Sequence, residues 1–378
     1  MNYKNLYFSA ILSLLTISST YAMPPLRVYD QDIIGPAAQN VLDQNTTPTE
    51  EAEEEEREKW NDIIDITGGL EFEFHRVRGF DKHWYSSFQD ATAEIDFSLH
   101  VNDWVSALIA TESDVDNSDL MTLKEGYFTV GGTDAYPYFI KAGYQYLPFG
   151  LGDGAILGDT LTITDPLTIE IFQIRQSAGM LGKVWGDYRL GVFAFDRTVA
   201  GFSNHSQWGL TFDKGLEADD DNTYDFGIDF LSSIFETDGL SVAFPEALAT
   251  HYAPGVSLHA RYFKNHISFL AEVETALQKT SFTQDDTDYH IQPAAWMVEL
   301  GYITEVHSIK SYVAVDYSES YDMQGFFAKN RMLGTIGAWV LENTLLAFEI
   351  GHENDYSVAQ NGTGNSGMTY IMQLAVQL

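Results

Sequence analysis

The chain has 378 residues, 55 of them acidic and 20 basic, for a formal charge of −35, and it contains no cysteine. Disulfides, thiolate metal sites, cysteine nucleophiles and lipid attachment through cysteine are therefore excluded, and so is tight duplex binding, which needs clustered Lys and Arg. Aromatic residues still make up 14% of the chain, more than an acidic disordered polymer carries, and a lipid bilayer is one environment that accommodates so many rings.

Residues 1–22 read as an export signal. Lys4 supplies the positive start, residues 6–17 the apolar stretch, and Thr20-Tyr21-Ala22 a small-residue cleavage site. That stretch is shorter than the ~20 residues a spanning helix needs, so cleavage after Ala22 is expected rather than an anchor. Residues 23–62 carry Pro24, Pro25, Pro36 and Pro48 and an acidic run at 50–58. They are expected to form a periplasmic acidic leader, partly disordered or holding one short helix capped by Thr49.

From Ile64 the hydrophobic period becomes two. Ile64, Ile66, Leu70, Phe72 and Phe74 alternate with Asp65, Thr67, Glu71, Glu73 and His75, and residues 91–101 and 224–230 repeat the pattern. Short turns are expected at 102–103, 132–136, 186–187, 215–222, 265–266, 305–307 and 342–343, most with the Gly, Asn or Asp of tight hairpins. Longer polar loops fall between them, at 76–89, 113–121, 147–171, 198–205, 232–253, 279–292, 319–330 and 355–366. Seven short turns interleaved with eight long loops predict an all-β fold, a transmembrane antiparallel β-barrel of about 16 strands over residues 63–378 in the bacterial outer membrane.

A soluble sandwich would alternate in the same way. Against it stand the many charges on the polar face, which call for water rather than packing, and the aromatics near strand ends on the apolar face: Tyr138, Tyr146, Tyr188, Trp208, Tyr262, Trp296, Tyr302 and Tyr370. The final segment places Tyr370, Met372, Leu374, Val376 and Leu378 on one face, a strand for the barrel-assembly machinery, with Leu378 where an aromatic is usual.

With the polar face inward, Glu71, Glu73, Glu94 and Asp96 line one wall, with Glu125 nearby. Lys141, Lys183, Arg189, Arg261 and Lys310 line the others. Acids facing bases would set a transverse field across the bore; the alternative is that these charges pair and hold water. The third long loop is Gly-rich and moderately apolar, with acids at Asp153, Asp159, Asp165 and Glu170, and a constriction loop folded into the barrel is expected rather than a surface loop. Asn204-His205-Ser206 is not expected to be catalytic, since a nucleophile and its base must face one another. Asp219-Asp220-Asp221 and Asp285-Asp286-Asp288 read as solvated acidic turns. No enzyme activity, resident metal, cofactor or nucleic-acid partner is expected.

The segments Gly143-Tyr144-Gln145-Tyr146-Leu147-Pro148-Phe149-Gly150, Thr164-Asp165-Pro166-Leu167-Thr168 and Arg175-Gln176-Ser177-Ala178, with Thr67-Gly68-Gly69-Leu70-Glu71 and Asn102-Asp103-Trp104-Val105, resemble the LbtU-type siderophore porins. The likeness covers about residues 64–378. It implies a sixteen-stranded barrel that imports a ferric polycarboxylate siderophore without a large folded plug, and the inward cations would guide such an anion. The short leader without sustained heptads and the terminal Leu378 depart from the family pattern. The alternatives are a general or cation-preferring diffusion porin, favoured by the acidic excess, and a structural or adhesive surface barrel.

Overall fold

A computed structural model of the chain describes residues 63–114, 121–151, 160–196, 207–219, 222–250 and 252–377. The expected signal (1–22), leader (23–62), Asp153, Asp159, Asn204-His205-Ser206, Asp220-Asp221 and Leu378 lie outside these residues.

The alternating segments form β1 (Ile64–Arg78), β2 (Trp84–Asn102), β3 (Val105–Asp114), β4 (Thr122–Gly131), β5 (Tyr138–Tyr146) and β6 (Arg175–Trp185). They continue as β7 (Tyr188–Phe195), β8 (Gln207–Asp219), β9 (Asn222–Leu231), β10 (Gly255–Lys264), β11 (Ile267–Ala276), β12 (Thr280–Gln284) and β13 (Thr287–Ile291). The last are β14 (Ala294–Val306), β15 (Ile309–Tyr321), β16 (Asn330–Leu341), β17 (Thr344–Asn354) and β18 (Ser366–Gln377). Three short helices lie in the long connections: α1 (Leu167–Phe172), α2 (Asp238–Ala243) and α3 (Pro245–Thr250).

Sixteen strands, β1–β11 and β14–β18, close into one antiparallel barrel, each paired to the next, with β18 returning to β1. The closing seam sets Leu70 against Val376 and Phe72 against Leu374. Closure removes the open edges that lipid would leave unsatisfied. The connections at one end are tight; Gly186, Asn265 and His307 have φ of 54°, 55° and 52°, the left-handed backbone of two-residue hairpins. Two connections differ from expectation. β8 runs to Asp219 and β9 starts at Asn222, so that turn is tighter than 215–222. The 279–292 connection holds a hairpin of its own, β12 paired with β13, because residues of alternating character flank Asp285 and Asp286, both at positive φ.

The outer face is apolar, with residues such as Leu181, Val192, Ile228, Val313 and Ile336 exposed. Of the eight aromatics expected near strand ends, Tyr138, Trp208 and Tyr302 are exposed on it, Tyr188, Tyr262, Trp296 and Tyr370 share its strand parity, and Tyr146 meets Arg175 at the long-loop rim. Trp185 stacks on Tyr188 and Tyr224 meets Tyr262 toward the short turns, while Trp208 packs on Phe230 and Trp296 on Tyr317 toward the long loops. These are the two girdles of a membrane barrel. Ile336 stands near the middle of β16 on this face, and Ile336→Arg should cost about 2–4 kcal/mol, read as a lowered urea midpoint of tryptophan fluorescence in lipid vesicles.

Candidate functional site

Inward positions at mid-strand are acidic on much of the barrel. Glu71 and Glu73 of β1, Glu94 of β2 and Glu125 of β4 are buried inside, and Asp96 of β2 is half-buried on the same face. Gln373 Nε2 donates to Glu71 (2.8 Å) and Glu73 (3.0 Å), and His75 Nε2 lies 2.6 Å from Glu73. Lys124, which the strand pattern does not single out, bridges Glu94 (2.8 Å) and Glu112 (3.5 Å). It points inward because a bulge between Ala110 and Thr111 puts Lys124 and Glu125 side by side in the bore.

The opposite wall is acidic as well, which replaces the expected arrangement of acids facing bases. Asp213, Asp229, Glu272, Glu274, Glu299, Asp316 and Glu349, on β8 to β17, are all buried inward. Four of them, Asp229, Glu272, Glu299 and Glu349, accept from backbone amides of the connection between β5 and β6, while Asp213 is held by Arg189 and Thr211 and faces His259 at 3.7 Å. Gly150 N donates to Asp229 (3.0 Å), Leu151 N to Glu272, Leu161 N and Thr162 N to Glu299 (2.8 and 3.1 Å), and Ile163 N and Thr164 N to Glu349 (2.6 and 3.1 Å). Thr335 Oγ1 adds a bond to Glu349 at 2.7 Å.

Residues 147–151 and 160–174 thus lie inside the barrel. Leu161 and Ile163 pack with Phe263, Ile303, Tyr312 and Leu345 toward the short turns; Gly301 makes room, since a Cβ there would collide with Leu161. Leu167, Ile171, Phe172 and Ile174 pack toward the long loops with Phe235, Phe244 and Phe282. α2 crosses α1 so closely that a Cβ on Gly239 would strike Ile171 and the Glu170 carbonyl, and Asp238 N donates to Gln173 O (2.8 Å). Arg331 of β16 anchors the same segment, reaching Glu170 (2.7 Å), Glu353 (2.6 Å) and the Asp165 carbonyl.

The expected lumen cations do not form one strip. Lys141 points inward with Nζ 3.7 Å over the Tyr127 ring. Arg189 faces the bore and is bound to Asp213 at 2.9 Å. Arg261 is buried inside, opposite Asp225 in register. Lys310 lies on the inward parity near the short turns, over Trp339 at 4.8 Å. Lys183, expected inside, is on the outer face. Lys141 pairs with Met180 and Tyr138 with Lys183, so Lys183 shares the lipid side with Tyr138 and Trp185, its ammonium 5.2 and 5.8 Å from their rings. A long basic stem in an aromatic girdle carries its charge to the headgroups. Asp165 is buried in the lumen segment, its carbonyl accepting from Arg331. Asp285, Asp286 and Asp288 are exposed on the β12–β13 hairpin.

No protein-family model matches the chain. Over 312 residues it is 22% identical to a UPF0422 protein of Legionella pneumophila strain Lens, covering 74% of this chain and 57% of that protein, and the UPF0422 protein of strain Philadelphia 1 matches to the same extent. The chain therefore spans little more than half the length of these curated relatives. Among solved structures it is similar to the outer-membrane channel DcaP of Acinetobacter baumannii (TM-score 0.55, 11% identity, 83% of this chain and 97% of that one). It is equally similar to an anion-selective porin of Comamonas acidovorans (0.55, 9%, 83% and 99%) and to Pseudomonas putida OprB (0.55, 9%, 85% and 96%). The chain has the sixteen-stranded barrel fold of the outer-membrane porins.

Two expectations follow for the lumen segment. Arg331→Met leaves Glu170 and Glu353 without their cation and should cost about 3–5 kcal/mol, exposing residues 160–174 to added protease while the barrel still runs as the folded band on unheated gels. Burial pushes Asp238 up to about 6, against the lowering effect of Arg175. An acid raised in the folded state favours folding while protonated, so this contribution is present below pH ~4 and is lost as pH rises through ~6, by roughly 3 kcal/mol. Hydrogen exchange at residues 171–175 should quicken across that range, and Asp238→Asn should flatten the profile.

Proposed function

We propose that the protein is a selective uptake channel of the LbtU-type siderophore porins, admitting a ferric siderophore when residues 147–151 and 160–174 move from the bore. The observation that carries this reading is the row of wall carboxylates holding the amides of that segment. A general diffusion pore keeps a water-filled eyelet, whereas here apolar side chains and paired amides occupy the interior. Each amide bond to a carboxylate has a net worth of roughly 1.5–3 kcal/mol, so the segment is held firmly yet can be exchanged for a ligand that makes equivalent bonds.

The residues behind the siderophore-porin resemblance coincide with those that dock the segment. Gly150, Thr164, Asp165 and Leu167 each contribute a backbone group to wall contacts, and Arg175 Nη1 meets the Tyr146 hydroxyl at 3.4 Å where the segment leaves and rejoins the barrel. This supports uptake of one solute class, with no catalytic step, and with β18 as the strand offered to the barrel-assembly machinery. A cation-preferring channel is the second reading, favoured by the acidic inner wall.

Entry of labelled ferric polycarboxylate and ferric hydroxamate chelates into liposomes bearing the purified barrel, beside a neutral sugar of similar size, tests the proposal. Saturable entry of one chelate with slow sugar entry is expected. Equal, linear entry of all three would make the protein a general porin.

A further inference from the structure

We propose that Asp229, Glu272, Glu274, Glu299 and Glu349 form the solute-recognition surface of the open channel, and that the solute they take is cationic, bearing ammonium or guanidinium groups. The inference rests on the uptake reading above and names its substrate class, in place of the polycarboxylate anion that the sequence resemblance implies.

The lumen segment already shows what these acids recognise. At Glu299 and at Glu349 two successive N–H groups converge on one carboxylate, and at Gly150 and Leu151 two successive N–H groups are divided between Asp229 and Glu272. Among the described residues no Lys or Arg is ion-paired to Glu272, Glu299 or Glu349. Glu274 is the independent sign of an unfilled site. It is 1% exposed, its Oε2 has no hydrogen-bond partner among the described residues, and it stands beside Gly150 at the point where the segment enters the bore. Glu299 Oε1 is likewise without a partner there, although Oε2 of the same group takes two amides.

Withdrawal of the segment removes its amides together with its apolar side chains, leaving carboxylates whose remaining wall partners include Thr335 at Glu349 and His259 at Asp229. An ammonium or guanidinium restores those bonds with charge assistance, which makes them stronger than the amide bonds they replace. An anion restores none of them and meets like charge along the wall. Among the inward bases, Arg189 is bound to Asp213, Arg331 to Glu170 and Glu353, and Lys124 to Glu94 and Glu112, while Lys141 lies over Tyr127 and Arg261 opposite Asp225. His259 lies between Asp213 (3.7 Å) and Asp229 (3.5 Å), so among the described residues Asp229 is the one proposed acid with a basic side chain beside it, and Glu272, Glu274, Glu299 and Glu349 carry the excess of acid. A ferric chelate that suits this wall presents amines at its periphery.

Spermine and citrate serve as probes, applied to the full-length folded barrel in planar bilayers under a potassium chloride gradient. The expected result is a reversal potential of the sign for potassium over chloride, block by spermine but not by citrate, and block weakened roughly tenfold by Glu274→Gln, which removes no docking bond. Should the wild-type barrel pass no current, calorimetry of spermine binding is done on the folded barrel and on a variant with residues 148–166 replaced by a Gly-Ser linker. Tighter spermine binding to the variant, lost with Glu274→Gln, is then expected. Chloride preference, block or binding by citrate, or indifference of spermine to Glu274→Gln overturns the inference. If the linker variant fails to reach the folded gel band, spermine binding to the wild type and to Glu274→Gln decides alone, with equal affinity or no binding overturning the proposal. Failure of every ferric chelate to enter liposomes would instead overturn the uptake reading, and the spermine measurement distinguishes the two.

Discussion

Two sets of polar groups face each other inside the barrel away from water, and each supplies most of the other's hydrogen bonds. The wall presents buried carboxylates on β9, β11, β14 and β17, whose burial without donors would cost several kcal/mol apiece. The segment between β5 and β6 enters the bore as irregular backbone whose N–H groups have no neighbouring strand to receive them, at a similar cost. Pairing successive amides with carboxylates removes both penalties and fixes the path of the chain. Because Leu161 and Thr162 are tied to Glu299, and Ile163 and Thr164 to Glu349, the side chains of Leu161 and Ile163 are carried into the apolar layer near the short turns.

The same tie couples the lumen to the surface loops. α1 follows directly on the docked amides, α2 lies against it through Gly239 and Asp238, and Phe244 of the connection after α2 packs on Phe282 of the β12–β13 hairpin at 5.7 Å and on Phe326 at 4.6 Å. Thr237 Oγ1 also donates to Ile171 O at 3.1 Å. Aromatic packing of this kind is non-directional and tolerates rearrangement of the layer above it, whereas the carboxylate–amide bonds below are short and geometrically demanding. Displacing the segment therefore disturbs two kinds of contact, with the more specific ones deepest in the bore.

Much of the barrel was legible in the sequence because one physical rule, lipid outside and polar groups inside, repeats on every strand. Alternation gave the strands, turn chemistry gave the connections, and the Gly-rich apolar loop marked itself as unlike a surface segment. The reading failed where the rule blurs. In β6, Met180 and Val184 point inward while Leu181 and Trp185 point outward, so hydrophobicity carries no parity there and Lys183 took the wrong face; the register comes from the pairing with β5 and β7. The wall acids from Asp229 to Glu349 stood in plain alternation, yet their role was invisible. Their partners are main-chain amides up to 186 positions away, and an amide leaves no trace in a side-chain pattern.

The choice of acids for this wall bears on function. A segment meant only to seal the bore would be held better by apolar residues, since a buried charge loses hydration that its partners return incompletely, and replacing buried ionic contacts with packed hydrophobic ones is often stabilising. Asn or Gln would supply acceptors for the amides at smaller desolvation cost. Carboxylates are the poorer solution for permanent closure and the better one for an interior that must at times stand open, because once the segment leaves they are the groups water hydrates most strongly and a cation binds most tightly. The acidity that looks like a liability in the closed barrel is thus what makes its open form both wettable and selective.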